Sequence, residues 1–311
     1  LPGDYAAPAD RGNANGLLAM MNGLGVICVG LVAGRLPGLV HGSALATADG
    51  RGEGRFAYLC LAAVAAATAL YLACGLAGRK ATADTAQSRQ PMMKMLRAGF
   101  GLARRDVGVA VAYLTAAVAR ADGQTVALFM PQWAVSAALS REAAREGLPP
   151  GAELPEDKRV AATQQALRLA STLTGIIGVM GIVVSPLWGR LADRAEPANA
   201  LAVALLLATA SYGLLALCPD PSGLGTMCAV GFVGIGQICT VVSSQVFAQQ
   251  RAPEAARGAV LGLFGTCGSL GQITTLYIGG WLFSHWRMQG PFLLACAANG
   301  LVLLCSPVLR G

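Results

Sequence analysis

Two residues of opposite charge, Arg120 and Asp122, directly follow the apolar stretch 107–119. If that stretch is a membrane helix, both charges lie about 20 Å along it, where each costs about 2.5 to 3.5 kcal/mol unless it is paired or faces water. Charged residues retained at such a cost are candidates for function. We expect Arg120 to bind an anionic group or a carboxylate on a facing helix, and Asp122 to carry a proton.

Uncharged polar residues recur at helical spacing in other apolar stretches. Gln237, Thr240 and Ser244 are three and four residues apart, so they share one face of a helix. Gln272 lies in a further stretch, and Gln124 follows Arg120 by about one helical turn. Such side chains either contact a polar ligand or join helices through hydrogen bonds, and their types do not distinguish the two roles.

The elements that would position these residues are membrane-spanning helices. The 311 residues are 55% hydrophobic and 13% charged, and in lipid only helices or closed barrels satisfy the backbone. The apolar runs are too long for barrel strands, which predicts an all-α membrane protein, a polytopic helical bundle. The candidate spans are 14–34, 56–78, 107–138, 167–188, 198–218, 223–247, 258–283 and 291–308.

The span 107–138 has two possible structures. It is long for a single straight span and contains Gly123 and Pro131, and Gly123 could loosen a continuous helix beside the two charges. Alternatively, residues 121–124 form a loop between two shorter interfacial helices. The loop would remove Arg120 and Asp122 from the membrane interior.

The distribution of basic residues predicts the orientation. Alternate connections carry thirteen basic residues on one side and eight on the other, and the richer side is expected to face the cytosol. Both chain ends then face the cytosol, whereas the connection 139–166 faces away from it. The net charge of +7 is explained by this basic rim near anionic lipid, so no nucleic-acid partner is predicted.

An internal repeat divides the chain into two parts. Residues 11–36 align without a gap on residues 257–282, with nine identities that include the Arg-Gly pair at the start of each segment. Transporters are often built from two such halves. We therefore expect residues 1–78 to hold the last two spans of an N-terminal half whose first four are absent, 79–106 to form a cytoplasmic linker, and 107–311 to form a complete six-helix half.

One short motif points to a family. Residues 189–194, Gly-Arg-Leu-Ala-Asp-Arg, resemble the loop signature that the major facilitator superfamily carries between its second and third helices and, more weakly, between its eighth and ninth. The resemblance implies that Gly189, Arg190, Asp193 and Arg194 form a gating turn, where charged groups at helix ends hold one conformation and release it in another. The sequence then departs from the family pattern, since Ala195-Glu196-Pro197 follows.

The resemblance implies secondary active transport of a small organic solute across a lipid bilayer by alternating access. Coupling to protons, as symport or antiport, would use Asp122. A facilitative carrier, a non-transporting receptor or scaffold, and an incomplete gene product are the alternatives. The sequence carries no recognisable enzyme, cofactor or metal-site motif, so no enzymatic activity, cofactor or metal is predicted.

Overall fold

The computed structural model describes residues 12–21, 24, 59, 62, 63, 66–68, 70, 92–149 and 154–305. The chain divides into two compact units, one formed by residues 1–24 with 93–311 and the other by residues 25–92. In the second unit the described positions are helical, and those between residues 59 and 70 are exposed. The predicted span 56–78 otherwise falls outside the described residues, as does most of the span 14–34.

The first unit is built from helices, which are numbered here from residue 92. A helical segment, residues 12–21, precedes them. The numbered helices are α1 (Met92–Ala103), α2 (Val107–Arg145), α3 (Glu156–Arg194), α4 (Pro197–Ala216), α5 (Leu224–Arg251), α6 (Arg257–His285) and α7 (Gly290–Cys305).

Each predicted span after residue 106 corresponds to one helix, α2 to α7. Among the described helices, α3, α4, α5 and α6 are long and apolar enough to cross a membrane. Helix α2 runs unbroken through Gly123 and Pro131. The loop considered for residues 121–124 is therefore wrong, and Arg120 and Asp122 lie within one continuous helix.

Two helices extend beyond their predicted ends. Helices α2 and α3 each have 39 residues, which is about 58 Å, whereas the hydrocarbon core is about 30 Å thick. The predicted connection 139–166 is thus mostly helical, and only residues 146–155 join the two helices. Hydropathy predicted the apolar part of each helix and missed the polar ends, because only the segment inside lipid has to be apolar. Of the two helices, α3 is long and apolar enough to cross a membrane.

Polar contacts hold this end of the bundle together. Lys158 Nζ lies 2.5 Å from Glu146 Oε1, and Arg141 pairs with Asp220 in the connection between α4 and α5. Burial alone would raise the pKa of Asp220, but hydrogen bonds from the backbone and hydroxyl of Ser222, together with the Arg141 guanidinium, hold that pKa below its ordinary value. Asp220 is therefore ionised at neutral pH.

A helix that the sequence analysis did not predict lies within the expected linker. Helix α1 ends four residues before α2 begins, and Tyr113 of α2 donates a hydrogen bond to the carbonyl oxygen of Gly99, at 3.3 Å. The side chain of Asp106 caps α2 by accepting from the amide of Gly108. The part of the linker before residue 92 lies outside the described residues.

Small residues set the spacing between the helices. A Cβ added at Gly271 of α6 would lie 2.4 Å from the carbonyl oxygen of Ala117 on α2, and one at Gly236 of α5 would lie 2.8 Å from the Cα of Ala208 on α4. Backbones that approach so closely tolerate no side chain at the glycine. The fold thus places α6 directly against the α2 segment that carries the two charges.

Candidate functional site

Arg120 and Asp122 lie on different faces of α2. Arg120 is exposed, whereas Asp122 is 1% exposed. Residues two apart on a helix point about 200° from one another, so the continuity of α2 separates the two charges. The structure does not pair them.

Arg120 lies in a groove that glycines open on α6. A Cβ added at Gly268 would lie 2.3 Å from Cδ and 2.8 Å from Nε of Arg120, and one at Gly265 would lie 4.0 Å from a terminal guanidinium nitrogen. No ion pair of Arg120 occurs in the part of the chain that the structure describes. The guanidinium therefore has no counterion from these residues.

Three glutamines lie on the helix faces around Arg120. Gln124, one turn further along α2, is exposed, and Gln237 of α5 packs over Gly123, where an added Cβ would lie 2.8 Å from its Nε2 atom. Gln272 is half-buried one turn after Gly268 on α6, so it shares the face along which Arg120 lies. Helices α2, α5 and α6 thus each carry one glutamine within about one helical turn of a residue at or next to the Arg120 groove.

The remaining two residues of the predicted polar stripe face elsewhere. Thr240 is buried and its hydroxyl donates to the carbonyl oxygens of Gly236, at 2.9 Å, and of Ala204 on α4, at 3.2 Å. Ser244 is also buried, and its hydroxyl donates to Val241 of its own helix at 2.9 Å. In this conformation the structure does not bring these hydroxyls together with Arg120.

Asp122 contacts two residues that the sequence analysis did not single out. The side-chain amide of Asn299 on α7 donates to both of its carboxylate oxygens, at 3.1 and 3.0 Å. The Tyr212 hydroxyl on α4 donates to its backbone carbonyl at 3.1 Å. Neither could be found from sequence, because Asn299 is a lone polar residue in an apolar stretch and Tyr212 is separated from Asp122 by 90 residues.

The predicted gating residues form the end of α3 instead of a turn. Helix α3 continues to Arg194, and only Ala195 and Glu196 connect it to α4. Arg190 and Arg194 are exposed there. The motif ends in helix because Pro197 starts α4 at its first position, which leaves the two residues before it as the turn.

Asp193 of this motif caps the helical segment 12–21. Its carboxylate accepts from the backbone amide of Gly12 at 2.5 Å and from that of Asn13 at 2.7 Å. The first amides of a helix have no partner within it and attract negative charge. Gly189 allows this contact, since a Cβ there would lie 2.5 Å from the carbonyl oxygen of Gly12. This arrangement is named the Asp193 contact below.

A second polar contact joins the same segment to α5. Asn15 and Gln249 exchange two hydrogen bonds between their side-chain amides, of 3.2 and 3.3 Å, and both residues are buried. Close packing accompanies it, because a Cβ at Gly16 would lie 2.5 Å from the carbonyl oxygen of Ser185 on α3. The segment 12–21 is thus fixed to the ends of α3 and α5.

Comparison with known proteins identifies the family. The family model for the Major Facilitator Superfamily matches residues 1–275. The chain belongs to the major facilitator superfamily. It is therefore an integral membrane protein with a polytopic helical fold, and its family transports solutes.

Three individual proteins that are similar to this chain are 24 to 29% identical to it. The magnetosome protein MamZ of Magnetospirillum gryphiswaldense is 26% identical over 76% of this chain and 35% of its own length. The magnetosome protein MamH of Paramagnetospirillum magneticum is 24% identical over 97% of this chain and 62% of its own length. The class E tetracycline resistance protein of Escherichia coli is 29% identical over 43% of this chain and 32% of its own. The chain spans less than two thirds of each of these relatives.

Proposed function

We propose that this major facilitator protein moves a small organic solute with an anionic group across the membrane by alternating access. The observation that carries the proposal is Arg120, an exposed guanidinium about a third of the way along α2, without a counterion among the described residues. A charge held in a membrane helix is costly unless water or a ligand solvates it. A planar guanidinium binds carboxylate and phosphate groups with two parallel hydrogen bonds.

The amides near Arg120 support a polar solute. Gln124, Gln237 and Gln272 each offer both donors and acceptors, so they can bind the uncharged part of a solute while Arg120 binds its anionic group. Thr240 and Ser244 belong to the same proposed pathway, and their hydroxyls would have to exchange their present hydrogen bonds to reach a solute.

The Asp193 contact supports the conformational part of the proposal. Alternating access requires contacts that form in one state and break in another. The carboxylate of Asp193 and the amides of Gly12 and Asn13 make such a contact, since it joins two helix ends through hydrogen bonds alone. It lies beside a small apolar contact of the same segment with α5. The end of α3 would be held in position for the Asp193 contact by Gly189, Arg190 and Arg194. In this proposal the Asp193 contact and both chain ends lie on the cytosolic side.

Proton coupling completes the proposal and assigns a role to Asp122. The E. coli relative is named as a tetracycline resistance protein, so a similar protein is associated with an organic compound. We assign the present chain no enzymatic role. Coupling of solute movement to protons would use Asp122. Because Asp122 lies on a different face of α2 from Arg120, the proton and the solute would bind at separate places.

Binding to the purified full-length protein tests the solute class. The shift in melting temperature would be measured with citrate, benzoate and glucose 6-phosphate as anionic probes, each beside an uncharged counterpart. We expect stabilisation by at least one anion, lost in Arg120→Ala and partly kept in Arg120→Lys, while Arg159→Ala, a change at an exposed arginine near the start of α3, leaves it unchanged. Stabilisation by the uncharged counterparts alone, or a full response in Arg120→Ala, would refute the proposed class.

A further inference from the structure

The Asp122 carboxylate is buried without a cation. It is 1% exposed, and within the described ranges no basic side chain forms an ion pair with it. Arg120 lies on another face of α2, against Gly268. An unpaired buried carboxylate costs several kcal/mol, so in this position the group requires a bound proton or a bound cation.

Among the residues that the structure describes, the side-chain oxygen of Asn299 lacks a hydrogen-bond donor, whereas the Asp122 carboxylate requires a proton or a cation. The amide nitrogen of Asn299 contacts both Asp122 oxygens and also the carbonyl oxygen of Ala295, at 2.9 Å. Because a backbone carbonyl only accepts hydrogen bonds, the side-chain atom that contacts Ala295 must be the amide nitrogen of Asn299 and not its oxygen. The Oδ1 atom of Asn299 is then buried and receives no hydrogen bond from any residue that the structure describes.

One proton satisfies both groups. We propose that Asp122 and Asn299 together form a proton-binding site, occupied in this conformation. A proton from water adds to one carboxylate oxygen of Asp122, and the resulting O–H donates to Oδ1 of Asn299. The amide N–H of Asn299 continues to donate to the other carboxylate oxygen. The product is the two-hydrogen-bond pair that a carboxylic acid forms with a primary amide. The contact of the Asn299 amide nitrogen with the oxygen that takes the proton is given up, and the contact with the other oxygen stays.

The surroundings leave Asp122 as the group that takes the proton. Helix α4 contributes the Tyr212 hydroxyl, which donates to the backbone carbonyl of Asp122. On α7, the Cys296 thiol donates to the carbonyl oxygen of Thr209. On α5, Gln237 packs at Gly123, the residue that follows Asp122, and a glutamine side chain does not titrate.

A metal cation fits this site less well than a proton. Hard cations bind several oxygen atoms at once, whereas a donor N–H group of Asn299 lies within 3.1 Å of both Asp122 oxygens. Only the unpartnered Oδ1 of Asn299 could add an oxygen ligand from that side chain. An N–H donor repels a metal ion and is compatible with a shared proton.

The position of the pair gives it a role distinct from solute binding. Asp122 and Asn299 join α2 to α7, on a face of α2 other than that of Arg120. Loss of the proton would leave a buried charge between these helices and favour their separation. This inference deepens the proposed proton coupling and rests on the proposed function for its role in transport, although proton binding itself can be measured without transport.

Infrared difference spectroscopy of the purified full-length protein, titrated with pH, tests the proton site. A neutral carboxylic acid has a C=O stretching band that a carboxylate lacks. We expect a band that disappears at alkaline pH, is absent in Asp122→Asn, and shifts to higher frequency in Asn299→Ala through loss of the hydrogen bond. Asp157→Asn, at an exposed carboxylate, should leave the band unchanged.

Two results would overturn the inference. One is the absence of any carboxylic acid band that Asp122→Asn removes, at any pH at which the protein stays folded. The other is a band that sodium chloride removes at constant pH, which would assign the site to a metal cation. Asn299→Leu replaces Asn299→Ala if the alanine variant does not fold, because leucine is similar in size to asparagine and accepts no hydrogen bond, and the same frequency shift is expected. Neither result depends on whether Arg120 binds a solute.

Discussion

At the scale of residues, the structure gives two neighbouring charges different environments. Arg120 is exposed beside the glycines of α6, whereas Asp122 is enclosed by Tyr212 and Asn299. Their separation follows from the helical repeat, because residues two apart in a continuous helix point to different sides. We therefore assign solute binding to Arg120 and proton binding to Asp122, as separate functions.

The groove for Arg120 depends on a single glycine. In Gly268→Ala the new Cβ would meet the Arg120 side chain at 2.3 Å, so the flexible arginine must leave the groove while the backbone can stay. We expect the variant to fold and to lose at least about tenfold in anion affinity, which corresponds to about 1.4 kcal/mol. Calorimetric titration with the anion that stabilises the wild type would measure the loss.

Gly262→Ala provides the matched control, since it lies on the same helix and an added Cβ there has no neighbour within 4 Å. We expect its affinity to equal that of the wild type. Equal affinity in Gly268→Ala as well would show that the position of Arg120 in the groove has no bearing on binding.

Sequence patterns located Arg120 and Asp122 but could not supply their contacts. Type and position within an apolar stretch were enough to mark both residues, because a charge in lipid is costly wherever its partner lies. The partners Asn299 and Gly268 come from helices more than 140 positions away, and only the packed structure brings them together. For the same reason, the spacing of Gln237, Thr240 and Ser244 predicted one shared face but not that Thr240 would bond to α4.

At the scale of elements, the end of α3 meets the start of the segment 12–21. The sequence motif was expected to form a turn, and the structure shows the last turns of a helix, with Asp193 at the amides of Gly12 and Asn13. The family signature drew attention to four residues here, but it predicted neither which of them would contact the segment 12–21 nor the conformation around it. An acceptor at a helix N-terminus contributes about 0.5 to 2 kcal/mol.

Removing the Asp193 charge should open this contact. In Asp193→Asn the attraction to the helix amides is weakened. A loss of about 1 to 2 kcal/mol in the stability of the contact would raise the open population about 5- to 30-fold. Ser185→Cys reports the change, since Ser185 is buried beneath Gly16. In a variant whose native cysteines have been replaced, the reaction of Ser185→Cys with a maleimide should accelerate by the same factor.

Glu196→Gln serves as the control, because Glu196 lies three residues from Asp193 and its carboxylate accepts from Asn199 within its own helix start. Its maleimide reaction rate should equal that of the parent. An unchanged rate in Asp193→Asn would mean that the Asp193 contact does not govern opening.

At the scale of the whole molecule, α3 to α6 are long and apolar enough to cross a membrane. We propose that α2 and α7 cross it with them and that the Asp193 contact lies on the cytosolic side. Hydropathy predicted these helices because the hydrocarbon core selects apolar stretches of about 20 residues. It missed α1 and the polar ends of α2 and α3, since these lie where lipid imposes no such selection. Orientation follows from the basic residues alone and stays a prediction.

Labelling of intact cells tests the orientation. Ser140 is exposed near the end of α2, on the side predicted to face away from the cytosol. In a cysteine-free protein, Ser140→Cys should react with an impermeant maleimide added outside, whereas a cysteine at Glu196, at the other end of the bundle, should react only after the membrane is opened. The reverse pattern would invert the topology and place the Asp193 contact outside the cytosol.

Uptake by the full-length protein in proteoliposomes tests the central claim, that Arg120 binds the anionic group of a transported solute. The radiolabelled anion that stabilises the purified wild type would be supplied outside, with and without an inward proton gradient and after preloading for exchange. We expect saturable uptake in the wild type and its loss in Arg120→Ala, whereas Asp122→Asn should keep exchange and lose the dependence on the gradient. Equal saturable uptake by the wild type and Arg120→Ala, or no uptake or exchange of the bound anion by the wild type, would contradict the account.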